Sequence, residues 1–165
     1  MLRMSLEGHA DVPNASLALV ESGLRRMAAT EGPTYIVLKK EDGSYMQAAG
    51  TEGRYVIEAR DAFGEGFLHW RAAKEEVASG VKATIYYRNS CDHGEHGRRT
   101  CPIAVDAAQV VGFEDVIESL LLFTRTRERH PQLYWHDVTV DVLQSEAEKQ
   151  ISEIRPSNEK GDAND

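Results

Sequence analysis

Residues 113–131 constrain the fold more than any other stretch of this sequence. Phe113, Val116, Ile117, Leu120, Leu121 and Thr124 recur at i, i+3, i+4, i+7 and i+8, which draws one apolar stripe along a helix. Glu114 and Asp115 fall in its first turn, and Arg125, Arg127, Arg129 and His130 in its last. Those charges suit the helix dipole at both ends. Pro131 is expected to end the helix, because its ring fixes φ and it donates no N–H. The spacing therefore predicts a helix over about 113–129. A helix with one apolar face needs a surface to cover, and the chain upstream reads as that surface.

An earlier helix is predicted over 15–30, opened by Pro13 and Asn14, with Asn14 as N-cap. Leu17, Val20, Leu24, Met27 and Ala28 form its stripe, and Gly32 and Pro33 break the pattern. The period then changes to two. Residues 35–38, 45–49, 54–60 and 67–71 read as strands. Turns at 41–44, with its Asp42-Gly43 signal, and at 50–53 join the first three, and a loop over 61–66 leads to the fourth. Residues 72–80 fit a helical turn or a loop. Residues 81–88 form a fifth strand, rich in residues that favour β structure. Residues 102–105 suit a short strand or an edge segment. A last strand is expected over 134–142, with Val138, Val140 and Val142 on one face. The fold class that follows is α+β. It is a twisted antiparallel meander of about five to seven strands under two main helices. The expected organisation is a single domain over 1–143 and a polar, acidic tail over 144–165 with the composition of a disordered segment.

The formal net charge is −8, of which residues 31–80 carry −3 and residues 131–165 carry −5. An acidic chain is not expected to bind nucleic acid nonspecifically. The first ten residues lack the apolar segment of a signal peptide, and no apolar run approaches a membrane span. The two cysteines are then expected as reduced thiols, in the cytoplasm.

Cys91, His93, His96 and Cys101 lie within eleven residues of one another. Two thiolates and two imidazoles can make a tetrahedral zinc set, although this spacing is not that of a zinc finger. A disulfide closing the loop is a second reading. The third, a solvated glycine-rich loop, is the one adopted, so no metal and no cofactor is expected. His136 beside Asp137 could be half of a catalytic triad, but no serine or cysteine sits in a nucleophile elbow. The glutamates show no paired acid/base spacing, and residues 61–66 lack the helix and lysine of a phosphate loop. An enzyme is not expected.

Asp42-Gly43 within a strand pair, the apolar run Leu120-Leu121-Leu122-Phe123 late in a helix, Pro131 in a short turn and Trp135 opening a strand occur in that order. This arrangement resembles the small α+β immunity proteins that bacteria carry beside polymorphic, contact-dependent toxins. The resemblance covers roughly residues 14–142, and the chain departs from the pattern in its Cys/His loop and over residues 124–130. It implies a cytoplasmic bacterial protein that binds and inhibits one cognate toxin and performs no chemistry. A toxin that attacks nucleic acid has a basic cleft, and an acidic inhibitor is steered to it. The rim is then expected at Asp42, Glu52, Asp61 and Glu65, and the anchor at Trp70 if His69 is the inward residue. The surface around Trp135, His136 and Asp137 is the other candidate. The rival reading is a small zinc-binding regulatory or enzymatic module on the loop 91–101. A third is a subunit that joins a larger assembly through a sheet edge.

Overall fold

The computed structural model describes residues 1–89 and 99–154. Its fold is α+β, as the alternating and helical periods predict. The elements in order are β1 (Leu2–Leu6), α1 (Leu17–Met27), β2 (Tyr35–Lys40), β3 (Tyr45–Thr51), β4 (Arg54–Phe63), β5 (Gly66–Ala73), β6 (Lys82–Asn89), β7 (Arg99–Asp106), α2 (Phe113–Thr126), β8 (Tyr134–Asp137) and α3 (Thr139–Ile154). A six-stranded sheet has the order β1-β2-β3-β4-β5-β8, with every neighbouring pair antiparallel. β6 and β7 form a separate hairpin.

Alternation along the strands sorts the side chains onto two faces. Leu2, Met4, Ile36, Leu38, Met46, Ala48, Ile57, Ala59 and Ala72 pack on one face against Val20, Leu24 and Met27 of α1 and Val116, Leu120 and Phe123 of α2. Val20, Leu24, Met27, Val116 and Leu120 of the stripes read from the sequence thus enter the main core, whereas Ile117 and Leu121 are only partly buried, Ala28 is exposed, and Phe123, outside the stripe, is core. On the other face, Ala49 and Val56 meet Ile85, Ile103 and Val105 of the hairpin in a smaller core. Near the end of β3, just before the turn to β4, Gly50 takes φ 151°, and a Cβ there would lie 2.1 Å from the Arg54 carbonyl oxygen. Only glycine allows backbones to approach that closely.

Several expectations are corrected. Ser16, not Asn14, caps α1, its side chain accepting from the Leu19 N–H at 3.3 Å, while Asn14 adopts φ 57°. α2 ends at Thr126, well before Pro131. Arg127 takes a left-handed conformation with φ 67°, and its N–H donates to the Phe123 carbonyl. β1, unread in the sequence, takes the sheet edge beside β2. Residues 74–80 contain no helix, and residues 102–105 belong to β7.

The largest correction lies after Trp135. The expected strand over 134–142 stops at Asp137, and residues 139–154 are helical where a strand end and an irregular tail were expected. Asp137 accepts from the Thr139 N–H at 2.9 Å and its hydroxyl at 2.6 Å. This local turn starts a helix and overrides the valine alternation. Val138 is buried, whereas Val140 is 65% exposed, so the three valines share no sheet face. The remainder of the expected tail, 155–165, lies outside the described residues.

Candidate functional site

α2 does not cover the whole of its face of the sheet. Beyond its C-terminal end, β4, β5 and β8 present Asp61, Phe63, Leu68, Trp70, Trp135 and Asp137, which alternation puts on the same side as the core residues Ala59 and Ala72. Arg129, from the segment after α2, lies over the Trp70 ring at 4.3 Å from its centroid and 5.6 Å from that of Trp135. Its Nη2 is 3.8 Å from Asp61 Oδ2, and the same oxygen accepts from the Trp70 indole N–H at 2.9 Å. The Trp135 indole donates to the His130 carbonyl at 3.0 Å. Both indole N–H groups are thus satisfied while the rings stay half-buried. Phe63 is 56% and Leu68 36% exposed beside them. Trp and Arg held in fixed geometry with exposed apolar neighbours are the residue types that dominate binding interfaces.

The predicted rim acids divide. Asp42 and Glu65 stand in turns at one end of the sheet, and Asp61 lies near that end. Glu52, with φ 54°, stands in the β3–β4 turn at the opposite end. The Ser44 N–H lowers the Asp42 carboxyl pKa, and Lys40 adds to this. Asp137 is also held low, first by the Thr139 hydroxyl and then by its N–H. His69 is the inward residue, as the anchor reading of Trp70 required, and is buried on the sheet's second face.

That second face carries a polar row which sequence reasoning missed. Register aligns Gln47 with Glu58, Glu58 with Arg71 and Arg71 with His136. Arg71 donates to Glu58 Oε1 from Nε at 2.9 Å and Nη2 at 2.5 Å, and Gln47 donates to Oε2 at 2.7 Å. His69 Nε2 lies 3.5 Å from Oε2. Burial alone would raise the Glu58 carboxyl, but the His69 hydrogen bond and the Arg71 charge outweigh it and hold the pKa down at about 2. Glu58 is therefore a fixed anion, unsuited to proton transfer near neutral pH. His136 packs its ring against the Glu75 and Glu76 carbonyls at 3.0 Å, while Asp137 faces the other side of the sheet. The His136–Asp137 half of a triad is thus not assembled.

Of the cysteine and histidine loop, Cys101 lies on β7 opposite Tyr87. Cys91, His93 and His96 lie outside the described residues. Among the described residues no group of three or more His, Cys, Asp or Glu is placed to hold a metal ion. Among the described residues, too, no helix is long and apolar enough to cross a membrane. No protein-family model matches this sequence, and no curated protein matches it.

Proposed function

We propose that the protein acts by binding, inhibiting a cognate basic protein toxin through the patch formed by Trp70, Trp135, Arg129, Phe63 and Leu68. The observation that carries this reading is the Arg129 guanidinium held over Trp70 and beside Trp135 on sheet surface that α2 leaves uncovered. The immunity-protein resemblance supports the class of partner. Charge supports it as well. The chain carries −8 overall, and Asp61, Glu65, Asp42 and Asp137 surround the patch or share its end of the sheet. Rim acids mainly raise the association rate, while the desolvated aromatic anchors mainly set dissociation.

The test is coexpression with the toxin encoded beside this gene, in a host that the toxin alone kills, together with binding kinetics on the purified pair. Rescue is expected, with Trp135→Ala raising the dissociation rate at least about thirtyfold, as a hot-spot truncation of about 2 kcal/mol or more does. Glu65→Lys should slow association in low salt and change dissociation little. Failure of rescue together with absence of binding at low salt would remove the inhibitor reading. Tight binding that Trp70→Phe, Trp135→Ala and Glu65→Lys all leave unchanged would move the contact face elsewhere.

A further inference from the structure

The β6–β7 hairpin covers only part of the second face of the sheet, around Ala49 and Val56. α3 lies over the β5 side. Between them opens a cleft of about 1050 Å³. Its floor is the polar pair of rows containing Gln47, Glu58, Arg60, His69 and Arg71, and tyrosines 35, 45 and 87 line it. That volume is just above the range of pockets that take drug-sized molecules, roughly 300–1,000 Å³.

The charges on the floor are unequal in what they have left to give. Glu58 is engaged by Arg71 and Gln47. Asp106 is engaged by the N–H groups of Ser79, Gly80 and Ala108 and by the Ser79 hydroxyl. Arg60 is different. Its guanidinium is stacked 4.0 Å from the Phe67 ring centroid and 5.2 Å from that of Tyr45, which fixes its plane. Its Nε is buried and makes no hydrogen bond among the described residues. Its Nη2 reaches Glu146 Oε1 on α3 at 3.6 Å, and that glutamate side chain is 53% exposed. His69 lines the same cleft and is 3% exposed, with its Nε2 turned to Glu58 at 3.5 Å.

We propose that this cleft binds a small organic carboxylate with a planar apolar body, the ligand's carboxylate replacing that of Glu146 at Arg60. Glu146 shows that a carboxylate reaches the guanidinium from the open side of the cleft, and its exposure makes it easy to displace. A rigidly stacked guanidinium suits a planar carboxylate, because less side-chain freedom is lost on binding. The three tyrosines offer flat apolar surface to the rest of the molecule. The fixed Glu58–Arg71 pair keeps the floor from competing for the ligand's charge.

Calorimetric titration of the full chain with benzoate, 2-naphthoate and indole-3-acetate tests this, alongside their primary amides and phenyl phosphate. Saturable one-to-one binding of at least one carboxylate is expected, with its amide weaker by about tenfold or more. Glu146→Gln should tighten that carboxylate by removing the internal competitor, and Arg60→Gln should abolish the preference over the amide. Glu146 is an exposed helix residue, so its substitution leaves the fold intact and decides the matter even if Arg60→Gln fails to fold. Absence of binding by every carboxylate, equal binding of the amide, or unchanged or weaker affinity in Glu146→Gln overturns the proposal. Tighter binding of phenyl phosphate overturns the assignment to carboxylates.

Discussion

Replacing Glu58 by Gln keeps the shape of a buried side chain and removes its charge. In the native protein the carboxylate accepts two N–H groups of Arg71 and one of Gln47, and its pKa lies at about 2 against an ordinary 4.5. A depression of that size corresponds to about 3 kcal/mol of folding free energy. Because the folded pKa is the lower one, the unfolded chain takes up the proton first as the pH falls. The contribution is complete above about pH 4.5, declines below it, and is gone below about pH 2. Removing the charge also leaves Arg71, whose side chain is only 14% exposed, without its anion. Breaking a buried pair from one side costs on the order of 3–5 kcal/mol. Glu58→Gln should therefore destabilise the protein by about 3 kcal/mol near neutral pH, lowering Tm by roughly 6–12 °C for a domain of this size. Urea unfolding at pH 7, 5, 4 and 3, followed by tryptophan fluorescence, measures the gap between wild type and variant. The gap should be constant from pH 7 to 5 and narrow below that. Adding Arg71→Met should recover part of the loss, since an apolar side chain leaves no buried unpaired charge. A gap under about 0.5 kcal/mol at pH 7, the size of an ordinary surface substitution, would refute the reasoning. So would a gap that stays the same down to pH 3, because the cost would then not be electrostatic.

Three other outcomes are expected. Leu120 is fully buried between α2 and the sheet, so Leu120→Ala should cost about 2–5 kcal/mol; a melting point lowered no further than by Glu118→Ala would contradict this. Gly50→Ala would drive a Cβ against the Arg54 carbonyl and the Tyr55 Cα, at 2.1 and 2.7 Å. Backbone atoms cannot yield cheaply, and the urea midpoint should fall with m unchanged; an unmoved midpoint would mean that the β3–β4 turn relaxes freely. Asp106→Ala should release the 79–80 segment, and the amides of Ser79, Gly80 and Ala108 should exchange faster with solvent while those of β2 and β3 do not; equal protection at all three amides would show that the carboxylate is not their anchor.

What the sequence determined by itself was local. The stripe of α2 is legible because i, i+3 and i+4 neighbours meet on any helix, and its residues Val116 and Leu120 are core in the structure. The hairpins are legible because turn chemistry at Asp42-Gly43 and Glu52-Gly53 acts within four residues. Where two local signals competed, reading failed: the alternating valines after Trp135 outweighed the Asp137–Thr139 turn, which is the one the chain obeys. The sites belong to tertiary structure. Trp70, Arg129 and Trp135 are separated by long stretches of chain, and Asp61 joins them only because β4, β5 and β8 lie side by side. Glu58 and Arg71 pair because the β4–β5 register sets them opposite each other. A shift of one residue would send each side chain to the other face, so the charge cluster exists only once the register does. The cleft depends on still more, since the hairpin and α3 must both dock on a face whose polarity gives no sequence signal that it is covered.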